Sequence, residues 1–465
     1  MFLPRANRRW WVTFNIAIGI FMSTLDASVV NISLPTITRA LETHLKAVAW
    51  VVIAYLIVIT GCLLWMGRLA DLLGQRKIYL FGLFTFTLGS ALCGFSSTIY
   101  FLIGSRMLQG LGASALMAVG PAIITTVFPE KERGQALGII GSIVSVGFIT
   151  GPILGGFLVE HFGWRSIFFV NLPVGAFGIF LSSKVLEKGG TAGEVEVDVD
   201  VWGALLLFFF LTFLLLFLNR AGEGWVLLPY GWFFLSVSSL ILFLVVEYRS
   251  PSPLVDLHLF KRRLFISSIG TSLLSFWMNA AHAFVLPFFL QNILEFSPSK
   301  VGMLIFPVAF TVMVIAPLGG RLSDRVGVKI PATLGLTLTS LTIFSFTFLG
   351  SPASDYPILW RQICLGIGIG LFNPANNSAI IGSLPKERIG LASGFLALSR
   401  NLGMVIGVAF AEMVIALKIP TPASGMIGGP SLESIQHVWE WALLIGLTAI
   451  LLSWIREKGI HPSNK

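Results

Sequence analysis

Charge is scarce in this chain. Asp, Glu, Lys and Arg make up 11% of its 465 residues, against 55% hydrophobic. A soluble domain of this length needs a polar surface that so few charges do not supply. Cysteine is scarcer still. Cys62, Cys93 and Cys364 each fall in an apolar stretch, which argues against a disulfide framework and against thiolate metal spacing. The six histidines are scattered and form no ligand pattern. A GxxxxGK[ST] loop is missing, so ATP hydrolysis is not the energy source. GIGIG at 366–370 is glycine-rich but lies inside an apolar stretch rather than after a strand, so it marks no dinucleotide site. A membrane enzyme or receptor would need a clustered nucleophile and base or an appended domain, and neither is found. The residues call for no cofactor and no metal.

What the chain has is long apolar runs. Windows of about 18 or more apolar residues read as membrane-spanning helices. They fall at 10–31, 47–66, 78–96, 101–121, 135–158, 166–183, 201–219, 229–247, 264–290, 301–319, 331–350, 357–381, 389–415 and 438–455. Short alternating strands, the mark of an outer-membrane barrel, are absent. The expected fold class is an all-α polytopic membrane protein with 14 transmembrane helices and short loops. Arg8 and Arg9 before an apolar run imitate a signal peptide. That run is too long, carries Asp26 and lacks a small-residue cleavage site, so an uncleaved first helix is expected.

Orientation follows from the cations. Of the 31 Lys and Arg, 22 lie at the termini and in the even-numbered connections, six in the odd-numbered ones, and Arg106, Arg361 and Arg400 inside helices. The bias places both termini in the cytoplasm. It also accounts for the net charge of +9 by topology and anionic headgroups, without nucleic acid.

The chain contains itself twice. GRLADLLGQRK (67–77) returns as GRLSDRVGVK (320–329), Arg106 in SRMLQGLG as Arg361 in WRQICLGIG, and PEKERGQALG (129–138) as PKERIGLASG (385–394). These shifts of 253 to 255 residues exceed the length of six helices, so two helices are inserted between two pseudo-repeats. The expected organisation is a six-helix bundle over 1–188, a cytoplasmic linker over 189–200, two inserted helices over 201–247 and a second six-helix bundle over 248–465.

Taken in order, these motifs resemble the major facilitator superfamily, and within it the fourteen-helix drug:proton antiporter branch. GRLADLLGQRK is similar to that superfamily's loop motif between helices two and three, and LDASVVNISLP to the branch's first-helix motif. IGSRMLQGLGA (103–113) resembles the fourth-helix arginine motif and GFITGPILGG (147–156) the fifth-helix antiporter motif. WRSIFFVNLPVG (164–175) and LPFFLQ (286–291) look like further branch signatures. The resemblance implies the major facilitator fold, a site between the two halves, and proton-driven exchange.

Asp26 carries the sharpest chemistry. An ionisable residue inside a spanning helix is costly and is a functional hypothesis by default. With the outer helix end near Ser33, Asp26 lies about 10 Å deep, and Arg106, entering near Phe101, about 8 Å. Similar depths predict an ion pair or a shared water network. Proton coupling and a static pair that holds the half-bundle together both remain open. The repeat sets Asn279 opposite Asp26. His282, three residues on, shares its face and reads equally as a coupling or substrate residue or as a satisfied core histidine. Arg361, with Asn373, Asn376 and Asn377 around Pro374, marks the substrate side of the second half. Glu412 is a further coupling candidate near an outer helix end. It lies too far from Arg400 on the same helix to pair with it, roughly 18 Å along the axis.

In the loop motif, Gly67 and Gly74 permit close backbone approach. Asp71 can cap a helix or pair with Arg76 or Lys77, and Asp324 and Lys329 repeat the set. The alternatives are a cytoplasmic clasp and plain positive-inside anchoring. Gly147, Gly151, Gly155 and Gly156 have small-residue packing spacing around Pro152. The resemblance reads them as a seal that favours antiport, whereas simple helix packing accounts for them equally well. The expectation is a monomeric integral protein of a bacterial inner membrane, with the lipid bilayer, protons and a small-molecule substrate as partners and no nucleic acid. It would export amphiphilic compounds or drugs by alternating access. A dedicated exporter of one metabolite, siderophore or lipid-like compound is the alternative, and an uncoupled facilitator also remains open.

Overall fold

A computed structural model describes residues 5–186, 201–220, 227–250, 261–350, 354–384, 389–418 and 430–456. The expected linker at 189–200 and the repeat element Glu387–Arg388 lie outside these residues. The described residues are almost entirely helical and contain no strand. The first group of helices is α1 (Arg5–Ala40), α2 (Leu45–Leu73), α3 (Gln75–Gly94), α4 (Ile99–Val127), α5 (Glu130–Phe162), the short α6 (Ser166–Phe169) and α7 (Asn171–Val185). Then come α8 (Val201–Arg220) and α9 (Leu227–Arg249). The last group is α10 (Arg263–Phe288), α11 (Pro298–Val326), α12 (Lys329–Ser345), α13 (Asp355–Gly382), α14 (Ile389–Lys418) and α15 (Leu432–Trp454). Eleven helices in the described residues are long and apolar enough to cross a membrane by length and composition. In such an environment every backbone polar group must be satisfied within the segment, which is why apolar runs of this length become helices.

The chain divides into two compact units. One comprises Met1–Thr43, Trp50–Phe217 and Leu227–Val255, the other His44–Ala49, Leu218–Val226 and Asp256–Lys465. Within the first unit, α3 and α4 pack through small residues. A Cβ on Gly89 would stand 2.7 Å from the Gln109 backbone, so glycine there lets α4 lie directly against α3. Within the second, GIGIG has a packing role: Gly366 and Gly370 abut Thr311 and Ile315 of α11, while Gly368 abuts Thr339 of α12.

The loop motif obeys a different rule from close approach. Gly74 ends α2 at φ 96 and Gly327 ends α11 at φ 84. Their amides donate to Ala70 O and Ser323 O, both at 3.0 Å. Only glycine adopts this left-handed helix stop without strain, so the repeat preserves a C-terminal cap. The expectation of tight approach at Gly67 fails, because a Cβ there would have no neighbour within 4 Å.

Candidate functional site

The first unit holds a buried polar cluster around Asp26. The carboxylate is 2% exposed and Arg106 1%. Because α1 continues to Ala40 rather than stopping near Ser33, Asp26 sits about 21 Å from that helix end, deeper than the sequence suggests. Arg106 lies seven residues into α4, about 10 Å along its axis. The two meet: Arg106 Nη1 donates to Asp26 Oδ2 and forms an ion pair with it.

Further contacts lock the pair. Arg106 Nε donates to the Val51 carbonyl at 3.0 Å and Nη1 to Gln109 Oε1 at 2.6 Å, while the guanidinium lies 4.0 Å from the centre of the Tyr55 ring. Gln109 Nε2 donates to Asp26 Oδ1 at 2.8 Å and to Ser90 Oγ at 2.7 Å. Asn171 Nδ2 reaches Asp26 Oδ1 at 3.4 Å and Ser90 Oγ at 3.3 Å, and the Cys93 thiol donates to Gln109 Oε1 at 3.8 Å. The Tyr55 hydroxyl donates to the Ser23 carbonyl at 3.2 Å, which fixes the ring beneath the guanidinium. Five helices, α1, α2, α3, α4 and α7, thus contribute to one cluster, in which α4 and α7 contact the α1 carboxylate directly.

A buried ion pair survives only when its remaining lone pairs and protons are also satisfied. Here both carboxylate oxygens accept, and these donors together with the Arg106 charge favour the ionised form of Asp26. Sequence reasoning paired Asp26 with Arg106 but missed Gln109, Asn171 and Tyr55. The signal for Gln109 was available: it follows Arg106 by three residues and therefore shares its helix face. Asn171 stood inside the quoted WRSIFFVNLPVG.

The glycine series in α5 faces α1. Gly147 abuts Thr24, Gly151 abuts Ser28, and a Cβ on Gly155 would lie 3.3 Å from Val29 Cγ1. Pro152 and Gly156 are buried on the same helix. These glycines set the α1–α5 spacing within one unit, against α1 residues within one turn of Asp26.

In the loop motif Asp71 is exposed. It does not cap α3, whose N-cap is Gly74 without a side-chain bond, and among the described residues it forms no ion pair with Arg76 or Lys77. Arg76 Nη2 instead donates to the Ser183 carbonyl of α7 at 3.0 Å. Lys77 and Asp324 are exposed, and the Lys329 ammonium lies 4.8 Å from the centre of the Trp454 ring.

The second unit arranges its expected residues differently. Arg361 meets no carboxylate among the described residues. Its Nε donates to Ser345 Oγ at 3.0 Å, its Nη1 to the Pro357 carbonyl at 2.8 Å, and its Nη2 to the Ser345 carbonyl at 3.1 Å. Asn279 turns back on its own helix and donates to the Ser275 carbonyl at 2.8 Å. His282 is buried against Phe346 and Trp439, with ring centres 4.7 and 6.2 Å away. Neither of its ring nitrogens has a partner, so the satisfied core histidine of the sequence reading is not what is observed. Asn376 is buried and bonded to Ser268, Thr271 and Arg456 rather than turned to an open cavity, whereas Asn373 and Asn377 are partly exposed. Glu412 is buried on α14.

Comparison with known proteins agrees with this architecture. The chain is 36% identical over 407 residues to the riboflavin transporter RibZ of Clostridioides difficile, which covers 87% of this chain and 88% of that protein. It is 34% identical over 411 residues to the multidrug resistance protein Stp of Mycobacterium tuberculosis, covering 86% of this chain and 74% of the relative. A POT family transporter crystallised with 5-aminolevulinic acid shares the fold at a TM-score of 0.69 and 15% identity, covering 96% of both chains. The family model described as the Major Facilitator Superfamily matches residues 16–408. The chain therefore belongs to the Major Facilitator Superfamily and is an integral membrane transporter of small molecules.

Proposed function

We propose that this transporter is a proton-coupled exporter of amphiphilic small molecules that works by alternating access, in the fourteen-helix drug:proton branch of its superfamily. The observation that carries the reading is the Asp26–Arg106–Gln109 cluster, a charged pair bridged by a side-chain amide deep inside a membrane protein. Ionisable groups at such depth are tolerated where they carry ions or protons. In this scheme the cluster opens to one side of the membrane at a time. Asp26 takes a proton when Arg106 and Gln109 release it and returns the proton when they close again. Glu412 is the second candidate for coupling. Asn279, His282, Arg361, Asn373 and Asn377 are proposed to face the substrate in some step of the cycle.

The organisation proposed is six helices, two inserted helices and six helices, with domains at 1–188, 201–247 and 248–465 and the linker at 189–200. The protein acts as a monomer in a bacterial inner membrane with both termini in the cytoplasm. Asp26 is paired by Arg106, whereas Arg361 has no carboxylate partner among the described residues. Neutral, zwitterionic or anionic substrates are therefore proposed to fit better than dications.

A second reading is a carrier dedicated to one metabolite. The 36% identity to a protein named a riboflavin transporter favours it, whereas the 34% relative named for multidrug resistance favours the first. A transport panel of dyes, antibiotics and riboflavin separates the two: broad efflux supports the exporter, and riboflavin alone supports the dedicated carrier. Coupling is tested in liposomes with an imposed pH gradient, comparing wild type with Asp26→Asn. Gradient-driven flux should fall at least tenfold while gradient-independent exchange persists. Equal gradient-driven flux in both proteins would remove Asp26 from the coupling step.

A further inference from the structure

Arg456 follows the last turn of α15, yet its side chain is 2% exposed. A guanidinium carries five N–H donors. The two on Nη2 are taken by neutral oxygens, Thr271 Oγ1 of α10 and Asn376 Oδ1 of α13. Nε and Nη1 have no partner, so three donors of a buried cation are unspent. Beside them the Ser268 hydroxyl, fully buried on α10, is also without a partner, although its carbonyl accepts from Asn376 Nδ2 at 3.2 Å. A buried charge left without a counter-ion is strongly unfavourable, and no carboxylate pairs with Arg456 among the described residues. Burial alone pushes the guanidinium down to about 10.

The neighbourhood fixes both depth and sign. Trp454, two residues earlier, is 66% exposed, and the Lys329 ammonium sits over its ring. An exposed tryptophan at a helix end beside a lysine marks the level of the lipid headgroups. The sign is set by Arg456 itself, since the partners of its Nη2 are neutral oxygens, and Arg262, a further cation, donates to the Ser383 carbonyl at 2.7 Å.

We propose that Arg456 and Ser268, framed by Thr271 and Asn376, form a binding site for one phosphate-bearing anion at headgroup depth. The phosphate would accept from Nε or Nη1 of Arg456 and from the Ser268 hydroxyl, supplying the missing counter-charge. Its source is either the headgroup of an anionic phospholipid or free phosphate. The site is independent of Asp26, so it stands or falls apart from the coupling mechanism.

The test uses the full-length protein in neutral detergent, titrated with phosphatidylglycerol, phosphatidylcholine or inorganic phosphate, with thermal unfolding and native mass spectrometry as readouts. Wild type should be stabilised by phosphatidylglycerol and retain it, with phosphatidylcholine as the inert control. Arg456→Gln should weaken that binding at least tenfold. Ser268→Ala, which keeps the cation, should weaken it several-fold and guards against a folding defect in the first variant. Stabilisation by phosphatidylglycerol alone assigns the site to lipid, and equal stabilisation by inorganic phosphate assigns it to the free anion. If neither ligand stabilises the wild type, or if all three proteins respond alike, the site does not exist.

Discussion

Gln109 offers the most direct measure of how the Asp26 cluster is held. Its amide bonds the two charged partners at once, at 2.8 Å to Asp26 and 2.6 Å to Arg106, and it also anchors Ser90 at 2.7 Å. Gln109→Leu roughly preserves volume and removes these three bonds together with the long Cys93 thiol contact at 3.8 Å. The Asp26 Oδ1 atom would then keep only the long Asn171 contact of 3.4 Å. Hydrogen bonds to charged groups contribute about 1.5 kcal/mol each at the low end, so losing two such bonds costs about 3 kcal/mol. Equilibrium unfolding in mixed micelles reads this loss. Ser114→Ala, buried on the same helix and bonded only to its own backbone at Leu111, is the control and should cost less than about 1 kcal/mol. In a double-mutant cycle, Gln109→Leu and Asp26→Asn should couple by about 1–2 kcal/mol because they share one network. A Gln109→Leu variant no less stable than the control, or strict additivity in the cycle, would refute the reading of the cluster as a single hydrogen-bonded unit.

Further outcomes follow from particular contacts. Gly74→Ala, at φ 96, should cost about 1–2 kcal/mol of thermal stability. Gly67→Ala, with open space at its Cβ, should lie within about 0.5 kcal/mol of wild type or above it, and the reverse order would discredit the helix-stop account. Gly151→Leu should push α1 from α5 and abolish transport. Ser28→Gly, which clears the facing side chain, should restore part of it, and no rescue would argue against that contact. Arg361→Leu should be milder than Arg106→Leu: about 1–2 kcal/mol for lost carbonyl bonds, against roughly 3–5 kcal/mol for stranding a buried carboxylate. Equal losses for the two arginines in the same unfolding assay would overturn the distinction.

What the sequence made legible was whatever carries a large free-energy penalty. Fourteen apolar runs, and an acid such as Asp26 within one of them, are conspicuous because water-loving groups are expensive in hydrocarbon. The same expense pointed Asp26 and Arg106 to each other as opposite buried charges, although α1 runs on to Ala40 and the depth read for Asp26 was too small. Gln109 and Asn171 were harder to find, since neutral amides occur throughout membrane helices and reveal their partners only when helices are placed side by side. Glycine was ambiguous for a similar reason. Close packing, as at Gly89, and backbone hand, as at Gly74, leave the same letter in the chain, and the reading of Gly67 as a packing site chose wrongly. Asp71 was read as a helix cap or as a partner of Arg76 or Lys77, but α2 continues past it to Leu73 and leaves it on an exposed face.

The two arginines show how far a repeated sequence departs from repeated chemistry. Arg106 and Arg361 occupy matching motifs in the two halves, and each is buried near the beginning of its helix. Arg106 answers a carboxylate, however, whereas Arg361 donates to the carbonyls of Pro357 and Ser345 and to the Ser345 hydroxyl. The position that would supply its acid is Asn279, whose amide bonds its own helix. The charge of Arg106 is thus balanced inside its unit, while that of Arg361 is not balanced by any described carboxylate bonded to it. Among the described residues the second unit holds no carboxylate–guanidinium cluster like the first. Its buried carboxylate on α14, Glu412, has no counterpart in the repeats identified. Duplication supplied the scaffold and its helix stops, while the buried carboxylate–guanidinium pair formed by Asp26 and Arg106 belongs to the first half.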